Sequence, residues 1–108
     1  MTGPDRGRLR PPGDAPDHGE TVELVAAMDG VRVEQILSGD LAAPVDYVQE
    51  HDEWVVTLAG GAVLEVGGAS VTLAPGEWIM LPRGVAHRLV STERGTSWLA
   101  VRVLSGTG

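Results

Sequence analysis

Short runs of alternating apolar and polar residues, cut by glycine pairs or Pro-Gly, constrain this chain more than any other feature. Thr21–Val25 and Val31–Leu37 alternate on either side of Asp29-Gly30, a favoured two-residue hairpin turn. Ala62–Val66 and Ala69–Leu73 flank Gly67-Gly68 in the same way. Val45–Leu58 is a longer extended stretch with a bend expected near Glu50–Asp52, closed by Gly60-Gly61. Trp78–Leu81, expected to be a buried strand, then Ala86–Ser91 and Ser97–Leu104 complete the series, separated by Pro82–Gly84 and Glu93–Gly95. No segment sustains the 3.6-residue apolar period of a helix. Val occurs 15 times, Ile twice and Phe not at all, so the core is aliphatic and β-branched.

About eight short strands with Gly and Pro turns predict an all-β sandwich or barrel. Closing the sheet removes the bare edges that Val-rich strands would otherwise present. A barrel of that size encloses side chains or one small ligand. At 108 residues there is room for one domain, placed at residues 21–108. Residues 1–20 hold four Pro, four Gly, three Arg and four acids, and predict a flexible N-terminal arm. His18 within it reads as a solvated tail residue.

Composition removes several functions. There is no Cys, hence no disulfide, thiolate metal site or cysteine nucleophile. There is no Lys, hence no Schiff base and no P-loop lysine. The net charge is −7, and the chain has no basic cluster beyond its first ten residues, which argues against a nucleic-acid partner. No apolar run reaches the roughly 20 residues of a membrane span, so no membrane partner is expected. The N-terminus lacks the apolar stretch of a signal peptide, and the expected location is cytoplasmic.

One segment concentrates chemistry. In Tyr47-Val-Gln-Glu-His-Asp-Glu-Trp54, strand alternation puts Tyr47, Gln49, His51 and Glu53 on one face. A turn within Glu50–Asp52 would break that parity and leaves His51 the least fixed. A phenol, an amide, an imidazole and a carboxylate are donors for a divalent ion of the Zn, Fe, Ni or Mn kind. One strand supplies only one wall, so a further ligand must come from elsewhere. His87, placed after the reversal at Pro82-Arg83-Gly84, is that candidate. A lone histidine in a β protein is otherwise a hydrogen-bonded structural residue.

Gly76 is followed after five residues by Pro82, then by Gly84, His87 and Ser91. This spacing resembles the second motif of the cupin family, which carries Asn where this chain has Ser91. The second half of the first cupin motif is present as Glu53 and, six residues later, Gly60. Fifteen residues separate Gly60 from Gly76, a short spacing similar to that of small microbial cupins. The resemblance covers roughly residues 40–104 and implies a double-stranded β-helix, the jelly-roll barrel.

The first motif departs from the family. Aligned on Glu53, its two histidines fall at Tyr47 and Gln49, or at Asp46 and Val48. His51 substitutes for a lost ligand or caps the turn. The resemblance therefore implies a divalent ion held by Gln49, His51, Glu53 and His87, with Tyr47 and Arg83 placed to meet a small polar substrate. The alternative is a metal-free pocket in which Glu53 and His87 form an acid–base pair or only recognise a ligand. A scaffold with a vestigial pocket is a third reading. Trp54, Trp78, Trp98 and Met80 are assigned to packing, and Arg88 and Arg102 to outward strand faces. Resemblance to small cupins also implies a homodimer, with Val22–Val25 and Val31–Leu37 as the pairing strands. No catalytic residue and no reaction type follow from the sequence.

Overall fold

The computed structural model describes residues 3–104. Residues 105–108, the end of the expected domain, lie outside the described residues. Among the described residues there are nine strands: β1 (Glu20–Met28), β2 (Val31–Ser38), β3 (Val45–Tyr47), β4 (Asp52–Ala59), β5 (Ala62–Val66), β6 (Ala69–Leu73), β7 (Trp78–Leu81), β8 (His87–Thr92) and β9 (Thr96–Val103). They form a five-stranded sheet in the order β1-β2-β9-β4-β7 and a four-stranded sheet in the order β3-β8-β5-β6. Every strand pairing is antiparallel. This is the expected all-β jelly roll.

The turns fall where the sequence marks them. Asp29-Gly30 joins β1 to β2, with Met28 facing Val31, and Gly67-Gly68 joins β5 to β6, with Val66 facing Ala69. Gly30, Gly67 and Gly68 all have positive φ, the conformation these tight turns demand. Gly60 is fixed for a second reason. Its φ is +77°, and a Cβ there would lie 2.7 Å from the Thr96 Cα, so neither the backbone angle nor the space admits a side chain.

The expected bend in Val45–Leu58 is a change of sheet. β3 pairs with β8, whereas β4 pairs with β7 and β9. Four residues, 48–51, carry the chain across, and Tyr47 and Glu53 end on facing walls. The core between the sheets comprises Val55, Leu64, Leu73, Leu81, Leu89, Trp98 and small Ala62 and Ala100. Inward positions alternate along β4 as Glu53, Val55 and Thr57, all buried.

Three expectations need correction. β7 is an edge strand of the five-stranded sheet rather than a buried one, and Trp78 and Met80 are 60% and 50% exposed. Met80 is therefore not core, and Trp78 instead tilts against Trp54 on the outer face, with ring centroids 6.0 Å apart. Arg102 is not on an outward face, as the site shows.

The segment before β1 lies against the five-stranded sheet. The Arg10 amide donates to Gln35 Oε1 and its carbonyl accepts from Gln35 Nε2, each at 2.9 Å. Gln35 is thereby satisfied although only 2% exposed. A 3-10 turn, Pro12–Asp14, follows, and His18 bridges to Asp40. β1 itself is the other edge of this sheet and leaves Val22, Leu24, Val25 and Met28 about half exposed. Among the described residues, no helix is long and apolar enough to cross a membrane.

Candidate functional site

A cavity of about 160 Å³ opens between the two sheets. Its walls are largely aliphatic, with Val55, Leu64, Leu81 and Leu89 among them and Trp98 at the side of β9. Six polar side chains also line it: Glu20, Tyr47, Gln49, Glu53, His87 and Arg102. A few convergent polar groups in an apolar cleft are the usual composition of a small-molecule site.

Register explains how they meet. Tyr47 on β3 lies opposite His87 on β8, and the two rings stack with centroids 5.2 Å apart and planes inclined by 14°. Glu53 on β4 lies opposite Arg102 on β9. The reversal before β8 is pinned to the crossing segment. The Gly84 amide donates to the Gln49 carbonyl at 2.8 Å, and the Arg83 amide donates to Asp52 Oδ1 at 2.9 Å. The Pro82-Arg83-Gly84 turn is thus tied to the segment that carries Gln49, and Gln49 and His87 both line the cavity.

His51 and Arg83 do not join this set. Neither lines the cavity. The bend at Glu50 and His51 interrupts the alternation that would have aligned His51 with Glu53. Its Nε2 is buried without a hydrogen-bond partner outside the cavity lining. Arg83 sits exposed in the turn and contributes its backbone amide.

Arg102 and Glu20 are the residues that strand-by-strand reading missed. Arg102 Nε donates to Glu53 Oε2 at 3.1 Å and lies 3.2 Å from Glu34 Oε1, without hydrogen-bond geometry in the second case. One guanidinium therefore serves two carboxylates, and Glu53 is only 5% exposed. Glu20, the first residue of β1, accepts from Ser38 Oγ at 2.6 Å, and Ser38 Oγ accepts from Trp98 Nε1 at 2.9 Å. The buried indole is thereby tied to a cavity carboxylate. Parity offered a signal for Arg102: it shares a face with Trp98 and Ala100, both buried.

Two atoms of the set have no partner. Gln49 Oε1 and His87 Nδ1 are buried and unbonded, and His87 is 8% exposed. Leaving such atoms unpaired costs about 1–3 kcal/mol each, which is tolerated where a ligand supplies the partner.

Tyr47 is held protonated. Burial raises its pKa above the ordinary phenol value, and the negative charges of Glu20 and Glu53 raise it further. Because the folded value is raised, this contribution to stability is complete below the unfolded pKa of about 10 and disappears as pH rises through the folded one. Tyr47 is the sole tyrosine, so tyrosinate absorbance reports it alone. A midpoint above about 10 in buffer, falling to about 10 in urea, is expected. Equal midpoints in the two solvents would contradict the burial.

These residues do not fit a divalent ion. Among the described residues, no three of His, Cys, Asp and Glu converge as a metal group. The Glu53 carboxylate already bonds Arg102, whose fixed positive charge lies where it opposes a cation bound to that carboxylate. Gln49 offers a weak neutral oxygen, protonated Tyr47 binds metal poorly, and a single imidazole remains.

Comparison with known proteins agrees with the architecture. The family model described as Cupin domain matches residues 32–104. The chain belongs to the cupin family. A Ralstonia eutropha cupin-fold protein, provisionally assigned as a mannose-6-phosphate isomerase, is similar at 32% identity. The match covers 94% of this chain and all of that one, with a TM-score of 0.79. KdgF from a Halomonas species is similar at 19% identity, 81% and 82% coverage and a TM-score of 0.70. An RmlC-like cupin from Shewanella frigidimarina is similar at 15%, 82% and 79%, and 0.72. The last two similarities show the fold alone. No curated protein matches the chain.

Proposed function

We propose that this cupin binds a small, partly apolar organic molecule in the cavity between its sheets, without a metal ion as the anchor. The observation that carries the reading is the division of labour among the polar residues. Glu53 is committed to Arg102, while Gln49 Oε1 and His87 Nδ1 stay buried and unbonded in the same cavity. A metal centre would need Glu53 as a ligand and more than one imidazole. An organic ligand needs neither, and it satisfies the two free atoms directly. Tyr47, stacked on His87, adds a phenol group at the cavity wall.

The cavity volume of about 160 Å³ corresponds to about five waters at ~30 Å³ each. That sets the scale at a compact molecule rather than a polymer or a dinucleotide. The aliphatic wall supplies apolar contact, and the polar row supplies orientation.

The reading is tested with a mixture of neutral polar fragments of up to about ten non-hydrogen atoms. Expected are shifts in the Gln49 side-chain amide and Trp98 indole resonances of the parent, lost in His87→Phe with the rest of the spectrum retained. Fragment binding that leaves those two signals unmoved, or that survives His87→Phe, would place the ligand elsewhere.

A further inference from the structure

The charge inside the cavity is unbalanced. Glu20, Glu53 and Arg102 line it, and Glu34 sits against Arg102. Two carboxylates, Glu34 and Glu53, lie within 3.2 Å of the one guanidinium, and Glu20 lines the cavity as well. The unpaired amide oxygen leans the same way: Gln49 Oε1 can only accept a hydrogen bond, and the buried His87 Nδ1 in the same cavity has no partner either. His87 is more than nine-tenths buried, so water does not readily supply its partner.

We infer that the ligand presents a hydrogen-bond-donating cation, a compact organic amine with an apolar body, and that anions such as phosphate or carboxylate esters and acids are rejected. The inference rests on the small-molecule reading above and names its ligand class. An ammonium group donates to several acceptors at once and carries the charge the cavity lacks. An anion brought to the same place meets uncompensated carboxylates, and the one cation available to it is already matched. A divalent ion also carries positive charge, but it needs several inner-sphere lone pairs, and Glu53 gives its own to Arg102. An ammonium tolerates that shared carboxylate because its bonds are hydrogen bonds. The aliphatic wall of Val55, Leu64 and Leu89 suits the body of such an amine.

The test uses three probes with one ring: cyclohexylammonium, cyclohexanol and cyclohexanecarboxylate, titrated into the full chain and followed at the Gln49 side-chain amide. The ammonium is expected to bind about tenfold or more tightly than the carboxylate, with the alcohol between. In Glu20→Gln the gap between ammonium and carboxylate is expected to narrow several-fold. Binding of the carboxylate as tightly as the ammonium overturns the amine inference and leaves the pocket reading standing. A gap unchanged in Glu20→Gln also overturns it. If no probe moves the Gln49 signal, both readings fall together. If zinc competes the ammonium away at stoichiometric concentration, the cation site is metallic and the amine inference is overturned.

Discussion

Arg102→Met lowers the melting temperature by about 12 °C or more. The basis is the pair of carboxylates that Arg102 serves. Removing one partner of a buried ion pair costs about 3–5 kcal/mol, because the other charge stays behind uncompensated. Here the side chain of Arg102 keeps 29% exposure, against 18% for Glu34 and 6% for Glu53, so the lower end, about 3 kcal/mol, applies. In a domain near 100 residues each kcal/mol moves the midpoint by about 4–8 °C. Methionine keeps the aliphatic stem in place, which confines the change to the charge. The double variant Arg102→Met, Glu53→Gln removes one of the two stranded carboxylates and recovers part of the loss. Additive losses, or a single variant within about 2 °C of the parent, would mean that the guanidinium does not hold Glu53.

Trp98→Ala carries a cost of similar size from packing. The indole is 4% exposed and belongs to the core between the sheets. Truncating a buried Trp costs about 3–5 kcal/mol, part of it for the space left behind. Trp98→Phe separates the two contributions of the residue. It keeps most of the ring volume and deletes the N–H that bonds Ser38, so a loss of about 1–2 kcal/mol is expected. Urea unfolding measures both. Since Ser38 in turn donates to Glu20, the Phe variant also weakens the restraint on a cavity carboxylate, which ligand titration would register. A Trp98→Ala loss below about 1 kcal/mol would contradict the packing described.

Much of this architecture is legible in the sequence. The two glycine hairpins, the bend near Glu50–Asp52 and the strand after Pro82-Arg83-Gly84 follow from local turn chemistry and period-two alternation, which are properties of short segments. For the same reason Glu53 and His87 stand out in the sequence, each at a fixed offset from a turn, and both line the cavity. What is not local is not legible. Glu53 meets Arg102, and Arg102 meets Glu34, only through the pairing of β4 and β2 with β9. A lone Arg on a Val-rich strand reads as solvated when its acidic partners lie 49 and 68 positions away in sequence. The inward parity of Trp98 and Ala100 was the available hint. Glu20 escaped because it stands at the junction between the Pro- and Gly-rich segment and β1. His51 misled because alternation was carried through a bend that resets it. Trp78 and Met80 misled because hydrophobicity does not reveal whether a strand is central or at an edge; strand order decides that.

Glu53 bonds Arg102, and an organic molecule rather than a metal ion is the proposed occupant of the cavity. Calorimetric titration of the purified, untagged chain with zinc, repeated with manganese and nickel, addresses it most directly, with His87→Ala and Glu53→Ala beside the parent. Weak heats that are the same in all three proteins are the predicted result, because the ion would find one imidazole and a carboxylate already bonded to a guanidinium. One equivalent bound tightly by the parent and lost in both variants would contradict the account and return Glu53 and His87 to a metal centre.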